Sequence, residues 1–127
     1  MNKTWFIIGC INAFLCIAIG AFGAHALKSH VGADLIAIYE TGVQYHMFHA
    51  LGLIAIALAA DKLGSGWRIL WSARLMLIGI ILFSGSLYAL AISGVKGLGA
   101  ITPLGGVSFL AAWVLLAMAA AGAGRSK

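Results

Sequence analysis

The sequence predicts an all-α membrane protein, a four-helix transmembrane bundle with a polar or interfacial segment between its first two helices. Three observations carry that prediction. Of the 127 residues, 63% are hydrophobic and 9% are charged, whereas an ordinary soluble domain is about 45–50% apolar and about 25% charged. So few charges cannot cover a water-facing surface. The apolar residues fall into four runs, three of them close to the roughly twenty residues that a helix needs to cross a bilayer and the second shorter. The polar residues gather between the runs, so the whole chain, 1–127, reads as one four-span domain.

The first run, residues 5–24, is WFIIGCINAFLCIAIGAFGA. At 1.5 Å per residue it is about 30 Å long, the thickness of a bilayer's hydrocarbon core. A short basic start and Ala24-His25-Ala26 imitate a secretory leader, but the run is long for the 7–15-residue core of one, so an uncleaved span is expected. Cys10 and Cys16 share this run. Six residues of helix separate them by about 9 Å, beyond disulfide reach.

A polar interlude from His25 to Glu40 holds Lys28, His30 and Asp34. Its part from Asp34 to Tyr39 is apolar enough to lie in the interface or to begin the next helix early. The second run is purely apolar only from Ala50 to Ala60, too short to cross. A span of twenty residues therefore starts near Thr41, giving 41–60, and takes Gln44, His46 and His49 below the headgroups. Asp61 to Arg74 reads as a loop with Trp67 and Trp71 as interfacial anchors. The third span is 75–92, followed by a Gly-rich turn from Ser93. Thr102-Pro103 is a helix start, with Thr as N-cap and Pro in the first turn, and the fourth span is 103–121. A basic tail closes the chain.

Four spans put the N-terminus, the middle loop and the C-terminus on one side. Lys3, Lys62, Arg68, Arg74, Arg125 and Lys127 lie there, against Lys28 and Lys96 in the other two loops. That asymmetry predicts both termini in the cytoplasm. The net charge of +5 is spread along the chain without a basic cluster, so a nucleic-acid partner is not expected.

Gly9, Ala13, Cys16, Gly20 and Gly23 alternate at spacings of four and three, so they share one face of the first helix. Small residues let membrane helices approach closely, which makes Gly9, Ala13, Gly20 and Gly23 the expected packing stripe, with Asn12 on its border. On the second helix Gly42, Tyr45, His46, His49 and Gly52 share a broad face, with Glu40 and Gln44 roughly opposite. His25 closes the first helix at the same end of the bundle. An unpaired polar group in hydrocarbon costs several kcal/mol, so His25, His49, Tyr45 and Asn12 are the candidate lining of one polar pocket. If a metal or haem were held, His25, His46 and His49 are the candidate ligands; no cofactor is required by the pattern. Ser84 and Tyr88 lie on one face of the third helix, Ser86 and Gly79 on another, which suggests central packing. Phosphate loops, CxxC and HExxH are absent, and three acidic residues leave little for carboxylate acid–base catalysis.

Gly20-Ala21-Phe22-Gly23-Ala24-His25, Thr41 through Tyr45 into His49, Leu82-Phe83-Ser84-Gly85-Ser86-Leu87-Tyr88, and Thr102-Pro103 with Gly105-Gly106, Phe109 and Trp113 together resemble one family. It is the YgdD-like family of small bacterial inner-membrane proteins, domain of unknown function 423, similar to eukaryotic transmembrane protein 256. The resemblance implies a multi-pass inner-membrane protein and no particular activity. It also implies Gln in place of His46, so that a metal site using His46 would be particular to this chain. The expected function is that of a non-enzymatic accessory or binding protein for lipid, a small apolar ligand or a larger membrane complex, with membrane lipids and further copies of the chain as partners. The alternatives are a redox, metal- or haem-binding or ion-handling protein using His25 and His49, and a small oligomeric transporter.

Overall fold

A computed structural model describes residues 1–64 and 66–123. The basic tail residues Arg125 and Lys127 lie outside the described residues. Helix α1 is Lys3–His25 and α2 is Ala33–Leu63. The third rod, Trp67–Ser93, consists of α3 (Trp67–Gly79), a π-helical segment (Ile80–Ser84) and α4 (Gly85–Ser93). The last helix, α5, is Thr102–Gly122. All four rods are long and apolar enough to cross a membrane. The rods alternate in direction. Asn2 N–H donates to the Ala57 carbonyl and the Met1 ammonium pairs with Asp61, while Gly23 packs on Tyr39. Both ends of the described chain thus lie at one end of the bundle, here the terminal end; the other is the distal end.

Two rods begin earlier than the apolar runs do. The second helix starts at Ala33 rather than near Thr41, because Leu35 and Ile36 pack with Tyr39 around Leu27 and Ala91, and that packing carries the helix through the polar segment. The interlude contracts to a 3-10 turn, Leu27–Ser29, and its flanks. The third rod starts at Trp67 rather than Leu75. Ile69 and Ala73 are buried in the main core, while Arg68 and Arg74 lie over the rings of Trp67 and Trp71 at 5.3 and 5.0 Å. Of the expected loop, residues 61–63 end α2 and residues 67–74 are the first two turns of α3, carrying their own basic and aromatic side chains.

Lipid is as apolar as leucine, so close packing and interhelical hydrogen bonds must hold the rods together. The small face of α1 meets α2: a Cβ on Gly9 would stand 2.6 Å from Ile54 Cγ1 and 3.1 Å from the Ala50 carbonyl, and one on Gly23 would enter the Tyr39 ring. Ala13 on the same face is half-buried. Gly20 is looser, with Val43 at 3.4 Å, so it is Gly9 and Gly23 that demand glycine. The third rod packs on both sides. Ser84 Oγ–H donates to the Gly42 carbonyl at 2.7 Å, Ser72 Oγ–H to the Ala112 carbonyl at 2.9 Å, and Ser86 and Thr102 share a hydroxyl bond at 2.6 Å. That last bond corrects the expected cap: Thr102 is already inside α5, Ile101 occupies the N-cap position without a side-chain bond, and the threonine hydroxyl serves the helix–helix seam instead.

Candidate functional site

The two histidines of α2 stand three residues apart on its buried face, but their rings serve different neighbours. Asn12 Nδ2–H donates to the Ile8 carbonyl at 2.8 Å. A carbonyl only accepts, so this bond orients the amide and leaves Asn12 Oδ1 as an acceptor. His46 Nε2–H donates to it at 3.1 Å, and His46 Nδ1, left without a proton, accepts from the Tyr88 hydroxyl at 2.9 Å. The chain Tyr88–His46–Asn12–Ile8 thus runs in one direction and joins α4, α2 and α1.

His49 is assigned by the same reasoning. Its Nδ1 lies 2.8 Å from the Tyr45 carbonyl and therefore carries the proton; its Nε2 accepts from the Trp113 indole N–H at 3.0 Å. The imidazole stacks on Phe109 with ring centroids 3.5 Å apart and planes 7° from parallel. Phe109 and Trp113, four residues apart on one face of α5, hold the ring from two directions. Phe109 can approach because Gly79 has no side chain: a Cβ there would enter the phenyl ring. Tyr45 extends the aromatic group, its ring 4.5 Å from that of Phe83.

The candidate pocket residues therefore separate. Tyr45 and His49 line a common cavity, whereas Asn12 is buried on the α1 side against His46. His25 is exposed at the distal end. Gly23 packs on Tyr39, ten residues and about 15 Å along α2 from His49, and His25 lies further out still. The three histidines offered as metal ligands do not converge, and among the described residues no three His, Cys, Asp or Glu side chains gather where they could hold a metal. All four ring nitrogens of His46 and His49 already have protein partners. A metal or haem iron at either ring would have to displace one of those bonds.

The cavity is a cleft of about 1200 Å³ between α1 and α5, floored by α2. One wall is Cys16 to Ala21 of α1, the other Pro103 to Trp113 of α5, and the floor includes Val43, Met47 and His49. It opens because α1 packs on α2 while α5 packs on the third rod, which leaves the first and last helices without a substantial contact. Sequence reasoning found His49 but neither its partners Phe109 and Trp113 nor the cleft. Their spacing on α5 was the available signal; which helix that face meets was not readable.

Fold and site together define a multi-pass membrane protein: four apolar rods latched by buried polar side chains, with a cleft between the first and last of them. The family profile described as "Protein of unknown function (DUF423)" matches residues 19–106. The chain is 48% identical over 118 residues to the UPF0382 membrane protein YwdK of Bacillus subtilis, covering 93% of this chain and 96% of that protein. It is 42% identical over 119 residues to the UPF0382 inner membrane protein YgdD of Escherichia coli, covering 94% and 90%. The UPF0382 membrane protein SSP2132 of Staphylococcus saprophyticus is 40% identical over 114 residues, 90% of this chain and 93% of that protein. The chain belongs to this DUF423/UPF0382 family of membrane proteins. No solved structure matches it.

Proposed function

We propose that this protein is a non-enzymatic component of the bacterial inner membrane that holds the hydrocarbon chain of a membrane lipid in the cleft between α1 and α5. The cleft is the observation that carries the reading. Its α1 wall, Cys16 to Ala21, lies roughly 6–14 Å inside the distal end of that helix, the depth at which acyl chains are the solvent. Its walls are apolar, Ile17, Val107 and Leu110 among them, and suit a chain rather than a polar substrate. Both ring nitrogens of His49 on the floor are engaged by protein partners rather than free to act on a substrate. The inner-membrane location is supported by the name of the similar Escherichia coli protein.

Gly106 tests the reading. A Cβ there meets nothing nearer than Phe83 Cδ2 at 4.0 Å, so Gly106→Leu should fold while filling the cleft. Native mass spectrometry of the wild-type protein, released from its own membrane, should show one retained lipid per chain, and the variant should lose most of it. Absence of retained lipid from the wild type, or equal retention by the variant, would defeat the assignment. A wild-type dimer that Gly106→Leu converts to monomer would point to a second copy in the cleft instead.

The bundle is oriented with both termini in the cytoplasm, on the support of the basic asymmetry between its two ends. Green fluorescent protein fused after Lys127 should fluoresce, and alkaline phosphatase fused there should be inactive. The opposite pair of results would invert the orientation.

A further inference from the structure

We propose that the lipid held in the cleft bears an amine, received at the distal mouth by Glu40 with Gln44 beside it; this rests on the lipid-binding reading above. A smaller cavity of about 290 Å³, bordered by Gly23, Tyr39 and Glu40, shares Gly20, Val43 and Gln44 with the main cleft. The two adjoin at those residues, where the α1–α2 seam meets the cleft between α1 and α5, and together make one groove along α2. Gly20 lies at that junction without a side chain, and its nearest neighbour across the seam is Val43. From Glu40 to Leu51 the groove follows twelve residues of α2, about 16 Å along the helix axis. It thus leads from the distal mouth down to the level of Trp113.

The groove is apolar along its length and polar at its mouth. Glu40 and Gln44 are one turn apart on the same face of α2, and both are exposed. Glu40 forms no salt bridge among the described residues. Its neighbour Thr41 turns its hydroxyl back onto the Ala37 carbonyl at 3.0 Å, leaving the carboxylate and the amide as the groups available to a headgroup. A carboxylate accepts from an ammonium and repels an anionic phosphodiester; an amide N–H₂ donates to a phosphate or ester oxygen. The pair therefore complements a zwitterionic aminophospholipid head, whose chain would enter the groove below. An anionic head without an amine meets the carboxylate as a like charge.

The test uses the full-length protein in nanodiscs of equimolar phosphatidylethanolamine and phosphatidylglycerol, with bound lipid read by native mass spectrometry after release. Wild type should retain the ethanolamine lipid in about two- to five-fold excess, the range that an exposed ion pair supports. Glu40→Gln should bind as much total lipid with the excess abolished, and Glu40→Lys should favour the glycerol lipid. One lipid per chain with no preference, or a preference unchanged by Glu40→Lys, would overturn the amine assignment and leave the cleft reading standing. No retained lipid from either source would remove both.

Discussion

Gly105→Ala should destabilise the protein by about 1–3 kcal/mol, the usual cost of forcing extra atoms into a packed interior, and Gly106→Ala should not. The added methyl of Gly105→Ala would meet the backbone of Phe83, with its Cα and Cβ at 2.7 Å and its amide nitrogen closer still. No rotamer change can move a neighbour's backbone, so α5 must shift away from the π segment. That shift would strain the Ser86–Thr102 bond and the Phe109–His49 stack. At Gly106 the nearest neighbour of a Cβ lies at 4.0 Å, and alanine's better helix propensity, about 1 kcal/mol over glycine, favours the variant. A detergent unfolding titration comparing the two neighbours separates contact from propensity. Equal midpoints would mean that α5 and the π segment are not in contact.

His46→Leu should cost about 2–6 kcal/mol, and His46→Gln far less. Leucine leaves the Tyr88 hydroxyl and Asn12 Oδ1 without the partner that each now has, and each orphaned buried group costs about 1–3 kcal/mol. Glutamine can accept from Tyr88 through its carbonyl and donate to Asn12 through its N–H₂, restoring the direction of the chain. The resemblance to a pattern with Gln at this position then has a physical account: what the site needs is one acceptor and one donor pointing opposite ways. The same titration should place His46→Gln near wild type and His46→Leu well below it. A Leu variant as stable as wild type would show that the Tyr88–His46–Asn12 chain contributes nothing to holding α1, α2 and α4 together.

The number of rods, their all-helical character and the inward face of α2 were legible in the sequence. Hydropathy and length decide them locally: a bilayer forces a long apolar run into a helix whose backbone satisfies itself. The periodicity of Gly42, His46 and His49 needs only the helical repeat. Helix ends were less legible, since Ala33 and Trp67 begin helices whose first turns are held by tertiary packing as well as by composition. The π segment at Ile80–Ser84 had no local signature.

The site divides the same way. That His49 faces away from open lipid follows from the cost of an unpaired imidazole in hydrocarbon. That its partner is Trp113 and its stacking surface Phe109, that Asn12 belongs to His46 rather than to the cleft, and that His25 stands apart are facts about which helix lies beside which. The sequence by itself determined four apolar rods and the polar residues that had to be satisfied among them. Only the tertiary structure decided the pairings and opened the cleft between α1 and α5, because partners such as His49 and Trp113, sixty-four residues apart, meet through packing angles that no local pattern encodes.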